Sequence, residues 1–506
     1  MGQFASNGCA SRDEVAYPEP VFAFADDPSI PLFVRVAQAI RADVSRGRFR
    51  RGDVLPGART LAEALGIHRN TVAAAYAELE AQGVLDVRQG ARPRVAEEFP
   101  PSRGFGVAPR TEIPARAAFD LGGPTPPPWR PPPRAPIELF GGVPDSRLFP
   151  RELLVRTYRR VAARAPRATW DYTDEPRGHP ALREAIARRV GRARGLAATA
   201  DDVVVTRGSQ MALALVAEML IAPGDVVAVE DPGYVPAWAA FRQRGATLHP
   251  LPVDARGASV DALASLCAKT RVRAVYVTPH HQYPTTASLT PARRQALLAL
   301  ARAHRFAIVE DDYDHEFHYE GRPLLPLASA DRHGSVIYVG TLSKILAPGL
   351  RTGFVVAPSP VTARLAALRI ALDRQGDPIL EATLAELLDE GEIDRHVRKT
   401  TRAYRARRDA FVDALERAFA DALSFTVPSG GMALWARARV DVDRWAGAAL
   451  ERGVLFQPGR LFRLARGESS HARFGFAKCT EGELRNAVAI LRRTHDARAA
   501  ARSQRR

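Results

Sequence analysis

The sequence predicts an α/β protein in two parts: a small basic helical unit with a β-hairpin, then a large unit built on a mainly parallel sheet. Three observations lead there. Between Pro100 and Pro136 lie 12 of the chain's 39 prolines, including Pro126-Pro127-Pro128 and Pro131-Pro132-Pro133. Proline fixes φ and lacks an N–H, so this stretch is neither helix nor central strand and reads as a semi-extended linker. Upstream of it, apolar residues recur at helical spacing; downstream, strand-like apolar runs alternate with helical stretches, the pattern of a parallel sheet covered by helices. The expected boundaries are a loose tail over residues 1–28, the small unit over 29–97, the linker over 98–137, the large unit over 138–495 and a basic tail over 496–506. At about 150 residues per domain, 506 residues leave room for roughly three folding units.

Composition narrows the function. With 46% apolar and 25% charged residues, a wholly disordered chain is ruled out. Lys and Arg number 72 against 56 Asp and Glu, a net +16 that favours a polyanion, nucleic acid or a membrane surface. An arginine-rich coding bias would write the same excess, since only four lysines occur (Lys269, Lys344, Lys399, Lys478). Cys9, Cys267 and Cys479 have no paired spacing, which argues for a reducing compartment without disulfides or a zinc site. No apolar run reaches the ~18 residues of a membrane span. The start, MGQFASNGCASRDE, lacks the basic and apolar regions of a signal peptide. Gly2 and Ser6 fit the myristoylation pattern formally, with nothing else to support an anchor. A cytoplasmic protein is expected.

In the small unit, Phe33, Val36, Ala37, Ile40 and Val44 make a first amphipathic helix. After Gly47 and Gly52, the stretch Ala58-Arg59-Thr60-Leu61 opens a short helix ending at Gly66. Asn70 or Thr71 is read as the cap of a third helix, whose stripe Val72, Ala75, Tyr76 and Leu79 leaves Arg69, Asn70, Thr71, Ala73 and Ala74 outward. Val84–Arg88 and Arg94-Val95 alternate like strands around Gln89-Gly90-Ala91-Arg92-Pro93. Three helices and an Arg-tipped hairpin make a winged helix-turn-helix. A polar helix N-terminus suits the major groove, and a basic wing suits the phosphate backbone. Arg59, Arg69, Asn70, Thr71, Arg88 and Arg92 are the candidate DNA contacts. Residues 31–94 hold 11 Arg against six Asp and Glu.

In the large unit, what ends each apolar run is informative. Val203-Val204-Val205 leads to Thr206-Arg207-Gly208-Ser209-Gln210 and a helix, a turn that offers free N–H groups to a phosphate. The next runs end at Glu230-Asp231-Pro232-Gly233-Tyr234, at Thr278-Pro279-His280-His281-Gln282, at Glu310-Asp311-Asp312-Tyr313 and at Gly340-Thr341-Leu342-Ser343-Lys344. Parallel strands put their carboxyl ends on one edge, where ligands bind. A phosphate cradle, an aromatic ring, a carboxylate, a phenol, a lysine and Arg351 together suit pyridoxal 5'-phosphate (PLP): its aldehyde bonds a lysine, and its ring nitrogen needs an acid partner. A rival reading makes Asp311-Asp312-Tyr313-Asp314-His315-Glu316-Phe317-His318 a metal site. His315 and His318 lack a third nitrogen or sulfur ligand at usual spacing, so no metal is expected.

LPGARTLAEALGIHRNTVAAAYAELEAQGVLDVRQGARPRV resembles the GntR-type winged-helix domain. FGGVPDSRLFP, YTDEPRGHPALREAIA, VTRGSQMALAL, VEDPGY, TPHHQYP, VEDDYDHEF and YVGTLSKILAPGLRTGF resemble the fold-type-I aminotransferase domain of MocR-type regulators, the GntR subfamily that carries one. The resemblance implies a large parallel-sheet domain with a small C-terminal α/β subdomain. It implies Lys344 as the Schiff-base and catalytic lysine, Asp311 as pyridinium partner, Tyr313 at the ring hydroxyl and Tyr234 stacked on the ring. Gly208, Ser209, Gln210, Thr341, Ser343 and Arg351 would hold the cofactor, mainly at its phosphate. Arg473, in Ala472-Arg473-Phe474-Gly475-Phe476, would grip an amino-acid carboxylate, a bidentate role that guanidinium geometry favours. His68 stands where Ser is usual, Gly-Ala-Arg where the wing usually has Gly-Ser-Gly, Thr286 where Gly is frequent, and His315 and His318 where Ser and Arg are commoner. The expected function is a homodimeric transcription regulator that binds double-stranded DNA and senses PLP, an amino compound, or both. The alternative is a working aminotransferase that moves an amino group from an amino acid to a keto acid.

Overall fold

A computed structural model describes residues 30–88, 90–97, 119, 133–321, 324–465 and 467–503. The predicted N-terminal tail, Gly2, Ser6, Cys9, Gln89 of the wing turn, nearly all of the proline-rich linker and residues 504–506 lie outside that set. The chain divides into two compact units between Trp129 and Arg130.

In the first unit, α1 (Leu32–Ser45) buries Val36, Ala37, Ile40 and Val44. Helix α2 (Ala58–Leu65) stops where Gly66 turns left-handed at φ 64°, a conformation glycine adopts without steric cost. Helix α3 (Arg69–Ala81) starts earlier than the Asn70 or Thr71 cap read from the sequence. His68, in extended backbone, accepts the Asn70 N–H at its Nδ1 over 3.2 Å, the part a serine hydroxyl plays at an N-cap. The wing is shorter than the alternation suggested: β1 (Leu85–Asp86) pairs antiparallel with β2 (Arg94–Val95), and Val54 bridges Arg94. Leu55, Leu61, Val72, Leu79 and Val95 close one core, across which the Tyr76 hydroxyl donates to Pro56 O at 2.7 Å.

The second unit opens with β3 (Ile137–Glu138), α4 (Arg151–Arg164) and α5 (Pro180–Arg194). Its main sheet holds β4 (Val203–Thr206), β5 (Val226–Asp231), β6 (Thr247–Asp254), β7 (Gly257–Ala258), β8 (Val272–Val277), β9 (Ala307–Asp312), β10 (Val336–Thr341) and β11 (Gly353–Val356), in the order β4-β11-β10-β9-β8-β5-β6-β7. Strands β10, β9, β8, β5 and β6 run parallel. Strand β11 enters antiparallel between β10 and β4, and β7 is antiparallel to β6. The interior strands β9 and β10 are buried on both faces, as sheets covered by helices on both sides are. A smaller antiparallel sheet follows, in the order β12-β13-β16-β15: β12 (Leu423–Phe425), β13 (Ala433–Ala438), β15 (Gln457–Pro458) and β16 (His471–Gly475), with β14 (Val454–Leu455) pairing back to β3. Arg407 on the helix Glu392–Phe419 donates to Ala477 O and, at 2.9 Å, to Asp145 Oδ2. The last helix, Glu481–Ser503, keeps the backbone helical through most of the stretch read as a basic tail. Among the described residues, no helix is long and apolar enough to cross a membrane.

Candidate functional site at the carboxyl edge of the large sheet

The polar segments that end β4, β5, β8, β9 and β10 meet around one cavity of about 370 Å³. Ser209, Gln210, Tyr234, Asp311, Tyr313, Thr341, Ser343, Lys344 and Arg351 all line it. Asp311, next to last in β9, is buried; its Oδ2 accepts the Tyr276 hydroxyl at 2.8 Å, and its Oδ1 is buried with no partner. Burial raises its pKa from 3.8 to about 7, against the pull of Tyr276 and Lys344. Lys344 sits half-buried just past β10, and desolvation lowers its ammonium pKa, with Asp311 and Asp314 opposing. The Tyr313 hydroxyl donates to His281 O at 2.9 Å. Tyr234 meets Tyr283 edge-on, ring centroids 5.2 Å apart.

The other end of the cavity is built for close approach. Gly208 takes φ 76°, and a Cβ there would lie 3.1 Å from the Arg351 guanidinium. A Cβ on Gly353 would stand 2.6 Å from Gly208 C and 2.8 Å from Ser209 N, so two glycines hold the first turn of α6 (Gly208–Leu220) against β11. Arg351 itself is left-handed at φ 49° and donates to Arg207 O at 3.1 Å. Thr341 Oγ1 accepts the Ser343 N–H at 3.1 Å, and Gln210 Nε2 donates to Pro236 O at 3.0 Å.

Arg473 lies on β16, opposite Trp435 and Gln457, and is 1% exposed. Its Nη1 donates to Pro284 O at 2.5 Å, and its guanidinium rests 4.3 Å over the Tyr283 ring. Its Nε is buried without a partner, beside the cavity-lining Gly141, where a Cβ would come within 2.3 Å.

Several residues of the site were not singled out from the sequence. Tyr276 sits inside the apolar run of β8 and reads as core; its hydroxyl was the one signal. Glu230 accepts the Thr278 hydroxyl at 2.7 Å and the Gln282 amide at 3.2 Å, locking two strand ends together. The metal argument also changes. His315 and His318 find no third nitrogen along their own segment, but the loop after β8 brings two to His318: ligand atoms of His280, His281 and His318 lie within 4.8 Å of one another, without His315.

On the small unit, Arg69, Asn70, Arg88 and Arg92 are exposed and Thr71 is half-buried. Arg59 is exposed and pairs with Glu63 at 3.2 Å, an exposed contact of the kind worth little.

Residues 32–95 match the gntR family of bacterial regulatory proteins, and residues 154–491 match aminotransferase class I and II. The chain is 33% identical to the probable rhizopine catabolism regulatory protein MocR of Rhizobium meliloti over 85% of this chain and 87% of that protein. It is 34% identical to the HTH-type transcriptional regulator TauR of Rhodobacter capsulatus, over 88% and 93%. The aminotransferase LysN of Thermus thermophilus, solved with a phosphopyridoxyl-leucine conjugate, superposes with a TM-score of 0.67 at 28% identity, covering 72% of this chain and 93% of that one. The unpartnered Oδ1 of Asp311, the lysine at the cavity and the two-glycine turn fit the ring nitrogen, aldehyde and phosphate of PLP. The chain belongs to the MocR-type subfamily of GntR regulators, PLP-binding and DNA-binding transcription regulators with an aminotransferase class I and II domain.

Proposed function

We propose that the large unit senses PLP together with a carboxylate-bearing amine, and that its occupancy sets the affinity of a homodimer for paired DNA half-sites. The observation that carries this reading is the meeting at one cavity of Lys344 and an unpartnered Asp311 oxygen, with Arg473, which does not itself line the cavity, buried behind its wall at Gly141 with an unpartnered Nε. When bound, the cofactor supplies an aldehyde that bonds amines and a ring that withdraws electrons. The protein's own part is to orient and hold. With PLP bound, Asp311 would face the ring nitrogen, Tyr234 would pack on the ring, Tyr313 would reach the ring hydroxyl, and Ser209, Gln210, Thr341, Ser343, Arg351 and the Gly208 turn would take the phosphate. Arg473 takes the effector's carboxylate through Nε and a second guanidinium nitrogen. Exposed apolar side chains at Val155, Tyr158, Trp170 and Tyr172 support a second copy of the chain as partner.

A ligand shifts DNA affinity only by its differential affinity for the two conformations, typically about 5- to 150-fold. Binding of the full chain to its own upstream DNA, with and without PLP at fixed salt, tests this; equal affinity and footprint in both forms removes PLP as the signal. In the same assay, Arg69→Ala weakens binding and flattens its salt dependence. Unaltered binding would displace α3 from the groove.

Arg473→Ala lowers the response to amino-acid effectors by about 10- to 100-fold, the worth of a charged hydrogen-bond pair, while PLP stays bound. Arg473→Lys keeps the charge without the planar fork, and recovers little. Effector titration monitored by PLP absorbance reads both variants. A normal response in both would place the carboxylate elsewhere.

The second reading is a working aminotransferase, because the chain is 32% identical over 71% of its length to aromatic-amino-acid aminotransferase 1 of Thermococcus litoralis. Sustained turnover with a keto acid separates the two. A single conversion of bound cofactor without repeated cycles speaks for the sensor.

A further inference from the structure

We propose that His280, His281 and His318 form a binding site for a divalent transition metal of the zinc class, outside the cofactor cavity. The candidate ligand atoms come from two loops, the one after β8 and the one after β9, and all lie within 4.8 Å of one another. None of the three lines the PLP cavity. His280 is 6% exposed, and neither of its ring nitrogens has a hydrogen-bond partner; Nδ1 of His318 is likewise buried and unpartnered. Each such group costs about 1–3 kcal/mol when left unsatisfied, so imidazoles gathered this way call for a ligand.

The third imidazole is already oriented. His281 Nδ1 and Asp314 Oδ1 share a hydrogen bond of 2.8 Å, which leaves Nε2 as the metal-facing atom. A carboxylate behind an imidazole fixes its tautomer and raises its basicity, the usual arrangement behind metal-bound histidine. Gly430 lies against that nitrogen, and only glycine leaves it accessible: a Cβ there would stand 2.6 Å from His281 Nε2. His315 packs on His280, ring centroids 4.7 Å apart, and its Nδ1 is 3.2 Å from Asp312 Oδ2. His315 and His318 also line a second cavity of about 350 Å³, bordered by Glu316, Asp394 and Arg189, which offers an entry path and room for a water ligand. Three imidazole nitrogens with an open fourth position suit Zn²⁺ better than oxygen-seeking Mg²⁺ or Ca²⁺. Tetrahedral Zn–N bonds of ~2.0 Å set nitrogens ~3.3 Å apart, so binding draws the rings inward. Asp312, Asp314 and Glu316 supply negative charge beside the site, partly spent on Arg194 and Arg189.

The test uses the untagged full-length chain, stripped with a chelator and dialysed against micromolar Zn²⁺ with metal analysis. One equivalent per chain is expected, and both His318→Arg and His280→Asn should weaken it at least tenfold. Circular dichroism and retained PLP absorption confirm that each variant is folded. X-ray absorption of the zinc-loaded parent reads the ligands without any variant, and imidazole scattering is expected. Absence of a stoichiometric equivalent, parent affinity in both folded variants, or a sulfur shell in place of imidazole would each overturn the site.

Discussion

Lys344→Ala yields a folded chain that loses all its PLP on dialysis, together with the visible absorption band that the parent retains. The lysine stands at the cavity where the end of β10 delivers it, and desolvation already favours its neutral amine, the form that bonds an aldehyde. No other lysine can replace it. Lys478 pairs with Glu138, Lys399 lies within the helix Glu392–Phe419, and Lys269 follows the helix Val260–Cys267. The fold should survive the change, because the side chain removed is a desolvated cation whose burial favours its neutral form. Unchanged absorption after dialysis would assign the cofactor bond to another group. Thermal melting of the variant without PLP, compared with the stripped parent, separates cofactor loss from misfolding.

The large sheet was legible because each apolar run ends abruptly in charged or hydroxylic residues, and parallel strands place those ends on a shared edge. That reasoning brings Ser209, Tyr234, Asp311, Thr341 and Lys344 to one cavity, where the structure also has them. It could not reach Tyr276, whose importance depends on β8 lying beside β9 in a register that aims its hydroxyl at Asp311. Nor could it reach Gly353, which matters only because β11 inserts antiparallel between β10 and β4 and presses on Gly208. His68 was noted as a departure from serine without recognising that an imidazole Nδ1 accepts the same N–H. The histidine cluster was missed for a related reason. One segment alone shows only His315 and His318, whereas His280 and His281 are separated from His318 by the helix Pro291–His304 and the whole of β9.

Asp311 is one of the buried carboxyls that make the cofactor-free chain sensitive to pH. Its folded pKa, about 7, lies above the ordinary 3.8, chiefly because burial penalises the carboxylate. The stability it contributes is therefore fully present below about pH 4 and is lost as pH rises through about 7, at up to ~4 kcal/mol for a shift of this size. Burial raises Glu230 and Glu310 to about 7 as well, while it lowers His179, His280, His318, His396 and His471, whose contribution is lost as pH falls. Between about pH 5 and pH 8 the Asp311 share is therefore read as the difference between the stripped parent and Asp311→Asn. A protonated ring nitrogen facing Oδ1 favours the carboxylate and removes the Asp311 share of that loss. PLP should then raise the melting temperature more at the higher pH. Asp311→Asn isolates this share: the amide has no charge to bury, so the stripped variant should lose less stability than the stripped parent as pH rises through about 7, the glutamates and histidines contributing equally to both. Its affinity for PLP should fall by about 2–5 kcal/mol, as when one partner of a buried charged pair is removed. Melting curves across that pH range, read beside PLP titration, check both effects. Parent-like PLP affinity in Asp311→Asn would mean that the ring nitrogen is held by another group, and Tyr276 would then be the first residue to change.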